Sequence, residues 1–336
     1  MYKFSEIRHV HLEISSLCNA ACPLCPRNFY GYEFNNGYVE HNMTLAETKQ
    51  IFLPEFVQQL DEMYINGNFG DAVMNPETVE IVKYFKSCSS ALKISMSTNA
   101  GARNKSYWES LAALGIRIEF CIDGLEDTHS LYRQNTLYST VIQNAKTFIA
   151  AGGDAVWKMI DFDHNRHQQE AASMLSQQLG FKKFQLVCDG RNQGPVFDKN
   201  QQLSHTIGKP VEINFDRLWK SRSQDEVVLE DITVGRTPKN IHCRVKNQKS
   251  IYISSTGDVY PCCFLGFAPK TYGSGNYHKA ANAQFREFVQ ENNALEHSLE
   301  HCIEWFNKIE KTWTIPTFDA GRLVICNDVC GSESNK

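Results

Sequence analysis

Three short segments of this chain, "HVHLEIS" (9–15), "LKISMST" (92–98) and "IRIEFCID" (116–123), alternate between apolar and polar residues. Strand side chains point to opposite faces in turn. Val10, Leu12 and Ile14 therefore share one face of the first segment, and His9, His11 and Glu13 the other. In the second, Leu92, Ile94 and Met96 oppose Lys93, Ser95, Ser97 and, one step further on, Asn99. In the third, Ile118, Phe120 and Ile122 oppose Glu119, Cys121 and Asp123. "MYING" (63–67), "AVWKMID" (155–161) and "KFQLVC" (183–188) complete a set of six strand-like segments.

Helix-like segments separate these six. One starts at Thr44, where "TLAE" reads as a capping box with Glu47, and Pro54 is expected to kink it. "NPETVEIVKYF" reads as a helix with Asn75 as N-cap and Pro76 at the first helical position. "SYWESLAALG" starts at Ser106 and stops at Gly115. "STVIQNAKTFIAAGG" (139–153) and "NRHQQEAASMLSQQLG" (165–180) follow. Six alternations predict parallel strands joined by crossover helices. Parallel strands covered on both faces are usually apolar throughout, yet here one face is polar. A curved sheet with helices outside and a polar, ligand-holding interior produces that pattern; a sheet with one face in water is the alternative.

The 336 residues are 42% hydrophobic with a formal charge of −4, an ordinary globular composition with no lysine- or arginine-rich block to imply nucleic acid. The N-terminus lacks the apolar core of a signal peptide, and no apolar run reaches the ~20 residues that span a bilayer. The chain reads as cytoplasmic, without a membrane partner. Twelve cysteines in a reducing compartment point to metal or redox chemistry rather than disulfides.

Beyond about residue 240 the alternation stops. "KSIYISSTGDVYPCCF" (249–264) reads as a β-hairpin turning at Thr256-Gly257, and "NAQFREFVQENNALEHSLEHCIEWFNKIEKTW" (282–313) as mostly helix. The expected organisation is a core over 1–190, a connecting segment over 191–240 that completes the barrel, and a C-terminal α+β module over 241–336.

Cysteines gather in two sets. Cys18, Cys22 and Cys25 form C-x3-C-x2-C on the segment after the first strand. Pro23 and Pro26 exclude a helix there, so the segment is a loop at the C-terminal end of a parallel strand, where active sites of such folds gather. Three thiolates on a four-iron cubane leave one iron open to an outside ligand; a zinc ion would need a fourth protein ligand from elsewhere. The second set is Cys243, then Gly257-x4-Cys262, then Cys326-x3-Cys330. Two near and two far thiolates make a closed four-ligand site for a cluster or a structural zinc, with Cys263 or Cys302 able to replace one of them. Cys88 and Cys188 read as ordinary thiols. Cys121 and Cys188 are alternatively candidates to face a substrate and donate a hydrogen atom.

The sequence resembles the radical S-adenosylmethionine (SAM) enzymes. The resemblance implies a partial (β/α)6 TIM-like barrel in which Cys18, Cys22 and Cys25 hold a [4Fe–4S] cluster, the open iron being chelated by the amino and carboxylate groups of SAM. "GNFGDAVMNP" sits where the family has a Gly-Gly-Glu-Pro-like motif, with Gly70 and Asp71 at its matching end. "STNAG" brings Ser97 and Asn99 near SAM, and "CIDGLEDTHSLYR" brings Asp123 and Arg133, the latter towards the SAM carboxylate. Departures are Leu24 in place of an aromatic residue, Asp71 in place of glutamate and Cys121 in place of serine. The second set, Cys243, Cys262, Cys326 and Cys330, resembles a twitch/SPASM module. Too few cysteines remain for a second cluster in that module, so one auxiliary [4Fe–4S] cluster is implied, although C-x3-C departs from the module's usual C-x2-C.

The implied activity is reductive cleavage of SAM to a 5′-deoxyadenosyl radical that abstracts hydrogen from a small-molecule or peptide substrate, with an electron donor such as flavodoxin or ferredoxin. A SPASM-type peptide maturase is one alternative, and a non-catalytic zinc or iron–sulfur protein another. The chain starts close to the first strand, which tells against a peptide substrate unless a peptide-recognition domain is a separate chain, and the single auxiliary cluster slightly favours a small molecule.

Overall fold

The computed structural model describes residues 1–31, 33–34, 39–188, 194–198, 200, 202–208, 233, 235–267, 284–285, 288–289 and 291–332. Six parallel strands form the core: β1 (His9–Leu12), β2 (Glu62–Ile65), β3 (Lys93–Thr98), β4 (Arg117–Cys121), β5 (Asp154–Ile160) and β6 (Lys183–Val187). The C-terminal hairpin, β7 (Ser250–Ile253) and β8 (Val259–Tyr260), extends the same sheet. β7 pairs parallel with β1 and antiparallel with β8, giving the order β8-β7-β1-β2-β3-β4-β5-β6. Among the described residues the sheet is open, a partial barrel of the class expected. The turn falls where the sequence places it, with Gly257 at φ +85°.

The apolar strand faces meet the helices. Val10, Leu12, Ile14, Ile94, Met96, Ile118, Phe120 and Ile122 are at most 3% exposed and join one core. They pack under α1 (Leu45–Ile51), α2 (Pro54–Gln58), α3 (Thr78–Cys88), α4 (Lys105–Ala113), α5 (Tyr138–Ala150) and α6 (Gln169–Gln178). Phe120 shows the packing: its ring lies 5.6 Å from Trp108, 5.7 Å from Phe148 and 5.9 Å from Phe181. No helix of the described residues is long and apolar enough to cross a membrane.

Local chemistry sets the helix ends, not always as expected. The Thr44–Glu47 capping box forms at α1. Pro54 does not kink that helix; α1 ends at Ile51 and Pro54 opens α2, because proline disfavours helix in the residue before it and fits a first turn. The helix expected from Pro76 begins at Thr78. Asn75 instead holds the carbonyls of Ile14 and Met43 with its amide, each at 2.7 Å, and accepts from the Glu77 amide. Asn104, not Ser106, caps α4, being an equally good cap two residues earlier.

Among the described residues of 282–313 the expected helix is present in short pieces, chiefly α7 (Leu299–Cys302) and α8 (Phe306–Lys311), with a 3-10 turn at Thr312–Thr314. Asn292 and Asn293 explain the break, since their amides bond to the hairpin carbonyls of Val259 and Thr256 in preference to helix. Most of the connecting segment lies outside the described residues; within it, Gly194–Phe197 and Leu203–Ile207 pair as a two-stranded ribbon.

Replacing Phe120 by Ala should cost about 3–5 kcal/mol through lost burial and a residual cavity. The expected result is a lower urea midpoint with an unchanged slope; a shift under 1 kcal/mol would mean that the helices do not pack as described.

Candidate active site

The polar strand faces turn inward and meet a cavity of about 450 Å³ at the C-terminal ends of the strands. Cys18, Cys22 and Cys25 line it on the loop after β1. The loop is non-helical between them and is fixed by its own backbone. The Cys25 amide donates to the Cys22 carbonyl at 3.1 Å, and the Ala21 amide to Gln134 O at 2.9 Å. Arg27 clamps the base of the loop, donating to Ser16 O and to Glu40, each at 2.5 Å.

Donors are aimed at the sulfurs. Asn99 Nδ2 stands 3.6 Å from Cys18 Sγ, and Arg133 Nη1 stands 3.7 Å from Cys22 Sγ. Burial pushes the Cys18 thiol above its ordinary range and Cys22 up to about 11. A lone zinc ion, with thiolates at about 2.3 Å, needs donors converging on one point. Among the described residues no three His, Cys, Asp or Glu side chains do so.

The other residues expected near a cofactor also line this cavity: Gly70, Asp71, Ser97, Asn99, Asp123 and Arg133. Their roles divide. The Asp71 carboxylate faces inward to the protein, accepting from Val73 N (3.1 Å), Thr98 Oγ1 (2.7 Å) and Asn99 N (2.7 Å). It joins the loop after β2 to the end of β3, and burial raises its pKa despite those donors. Asp123, fully buried, accepts from Arg133 Nε and Ile160 N, each at 2.6 Å. Burial works against the Arg133 charge, but Asp123 outweighs it and holds the guanidinium protonated. Cys121 lines the cavity as well; Cys188 is exposed and lies outside it.

Three features of the site went unassigned in the sequence. Glu13, 1% exposed, accepts from the amides of Phe69 (2.8 Å) and Gly70 (3.1 Å) and from Tyr252 Oη (2.8 Å). Lys158, on β5, faces the cavity and donates to Glu119 Oε2 at 3.1 Å. Cys263, weighed only as a spare ligand, lines this cavity, while its neighbour Cys262 does not.

Cys262 faces a second cavity, of about 420 Å³, together with Cys243, Cys326 and Cys330. The spacing that departs from C-x2-C has a local cause. Cys326 and Cys330 both lie on α9 (Val324–Cys330), where an i, i+4 step brings two side chains to one face. The Cys243 and Cys330 thiols share a hydrogen bond that lowers the Cys330 pKa. Cys302 is buried in the hydrophobic core and lines neither cavity.

No protein-family model matches the chain, and no curated protein matches it in sequence. Solved structures do match. Streptococcus suis SuiB bound to S-adenosylmethionine is 15% identical, with a TM-score of 0.54 over 88% of this chain and 72% of its own. In a further SuiB structure the match spans 65% of that chain. anSMEcpe with bound AdoMet is 14% identical, with a TM-score of 0.54 over 98% of this chain and 92% of its own. SuiB bound to the precursor peptide SuiA is 16% identical, with a TM-score of 0.56 over 96% and 76% of the two chains. The fold is thus the partial barrel shared with these structures, two of which were solved with S-adenosylmethionine bound.

Two outcomes follow from this geometry. Tyr252→Phe removes a buried hydrogen bond to a carboxylate and should cost about 1.5–3 kcal/mol in equilibrium unfolding; no measurable loss would mean that Glu13 does not hold the hairpin. His129, 1% exposed, has its pKa lowered from 6.5 to about 4, by burial first and then by Arg133. Its folded pKa lies below the unfolded one, so its contribution is complete above pH 6.5 and is lost as pH falls towards 4, by up to about 1.4 kcal/mol per pH unit. Denaturation curves of wild type and His129→Gln at several pH values should differ by that slope; parallel pH dependences would refute it.

Proposed function

We propose that this chain is a radical SAM enzyme acting on a peptide, with an auxiliary cluster in its C-terminal module. The observation that carries the reading is the convergence of Cys18, Cys22 and Cys25 in one strand-end cavity with Asn99 and Arg133 aimed at their sulfurs. In this reading the three thiolates hold a [4Fe–4S] cluster. When bound, that cluster and S-adenosylmethionine supply one-electron cleavage of the sulfonium and a 5′-deoxyadenosyl radical able to take hydrogen from an unactivated carbon.

The chain's own residues bind, orient and enclose. Gly70 exposes backbone at the cavity wall, and Asp71 fixes that segment against β3. Arg133, kept charged by Asp123, is the partner for the SAM carboxylate, and Ser97 and Asn99 are the neutral donors beside it. Cys243, Cys262, Cys326 and Cys330 are the ligands of an auxiliary [4Fe–4S] cluster. An electron donor of flavodoxin or ferredoxin type supplies the electron in the cytoplasm. Peptide rather than small-molecule substrate is supported by the likeness to SuiB bound to its precursor peptide and to anSMEcpe with the Cp18Cys peptide.

The test is anaerobic reconstitution followed by SAM and dithionite. Wild type should form 5′-deoxyadenosine and carry about eight irons, two cubanes' worth, against about four irons and no 5′-deoxyadenosine in the Cys18→Ala/Cys22→Ala/Cys25→Ala variant. Zinc at both sites, or equal product from wild type and variant, would sink the reading.

A further inference from the structure

The cavity extends below the cysteine loop into the barrel, where Glu119 centres a hydrogen-bonded group in which only Ser97 is also assigned to SAM. Glu119 Oε2 accepts from Tyr64 Oη (3.2 Å), Ser97 Oγ (3.1 Å) and Lys158 Nζ (3.1 Å). Three donors from β2, β3 and β5 fix this one oxygen, so Glu119, itself 19% accessible, anchors the lysine. Lys158 lines the cavity and Glu119 does not. The lysine side chain keeps 24% of its surface accessible despite its place inside the barrel.

We propose that Lys158 receives a carboxylate of the substrate on the barrel floor, which makes the preferred peptide one with an acidic side chain or free C-terminus at the reacting residue. This rests on the reading of the cavity as a radical SAM active site. An ammonium has three N–H donors. Glu119 takes one, and the Tyr64 hydroxyl at 3.5 Å takes at most a second, leaving one for the cavity. Of the other cations of this wall, Arg133 is assigned to the SAM carboxylate, and Arg27 is taken up by Glu40 and Ser16. Asp71 and Asp123 accept from internal donors and do not compete for the ammonium. The Lys158–Glu119 pair has no net charge. It can attract a singly charged group at short range through the lysine's remaining N–H, and holds a dianion less well, since it neutralises neither.

The substrate is unidentified, but the floor carries its own reporter. Cys121 is the register partner of Lys158 on the neighbouring strand, so the two side chains share a face, and its Sγ lies 3.3 Å from Ser97 Oγ. The probes are iodoacetate, a carboxylate, and iodoacetamide, its neutral analogue, applied to the reconstituted protein with and without saturating SAM. The rate ratio of the two reagents at Cys121 is read by peptide mapping against that at exposed Cys188; taking a ratio cancels the thiol's own ionisation.

The ratio at Cys121 should exceed that at Cys188 by roughly tenfold, the effect of one hydrogen bond to a charged group. Lys158→Arg should keep the preference and Lys158→Met should abolish it, while SAM affinity by equilibrium dialysis stays within about twofold of wild type. Equal ratios at the two cysteines of the wild type overturn the proposal even if Lys158→Met does not fold. So does a preference that survives in Lys158→Met. A tenfold or greater loss of SAM affinity in that variant would assign the lysine to the cosubstrate's carboxylate and also overturn it. Failure of the underlying cluster reading shows separately, as alkylation of Cys18, Cys22 and Cys25 in the same peptide map.

Discussion

A single buried carboxylate holds this structure together at its site. Glu13 stands just beyond β1, where the cysteine loop leaves the sheet, and bonds at once to the loop after β2 and to Tyr252 on β7. A buried carboxylate is tolerated only with such partners, so the three segments are bound to one another by its desolvation. The approach is close enough to dictate the residues around it. A Cβ at Gly70 would lie 2.0 Å from the Ser15 carbonyl oxygen, and one at Gly67 would lie 2.3 Å from that of Gly70. The cysteine loop and the wall facing it are thus set by one contact that admits no side chain between them.

The same logic recurs around the cavity. Asp71, Asp123 and Glu119 all turn their oxygens to donors of the protein, and each thereby positions a group that does face the cavity: Asn99, Arg133 and Lys158. Each carboxylate is engaged by a donor of the protein and leaves a donor to the cavity. The result is a cavity wall biased towards negative or electron-rich occupants, which suits thiolates and carboxylates alike. It is built without a surplus of positive charge, since each cation facing the cavity has its counter-charge beside it.

What could be read in the sequence was what repeats. Alternation on β1, β3 and β4 located the core and the inward residues, because a period of two leaves no freedom about which face is which. Lys158 escaped notice because β5 reads as nearly continuous apolar sequence, its one charged interior residue outweighed by Ala155, Val156, Trp157, Met159 and Ile160. A lysine alone in such a run was the available signal, for it must either pair or face a cavity. Helix starts were less legible, since Asn75 and Asn104 compete with nearby residues for the same capping work, and tertiary partners decided between them. The Asn292–Asn293 break was illegible locally, because its cause is the edge of a hairpin some thirty residues away.

Adjacent cysteines at 262 and 263 show how the C-terminal part enters the site. They stand where β8 gives way to the short helix Cys263–Phe267, and consecutive side chains at such a junction diverge. Cys262 lines the cavity of the second cysteine set and Cys263 the cavity of the first, while Phe264 borders both. The Cys263 carbonyl is held by Asn68 Nδ2 at 2.8 Å, and Phe267 packs edge-on against Phe69 at 5.5 Å, so the helix docks on the very loop that Glu13 fixes. The C-terminal part therefore walls the strand-end cavity as well as the cavity of the second cysteine set.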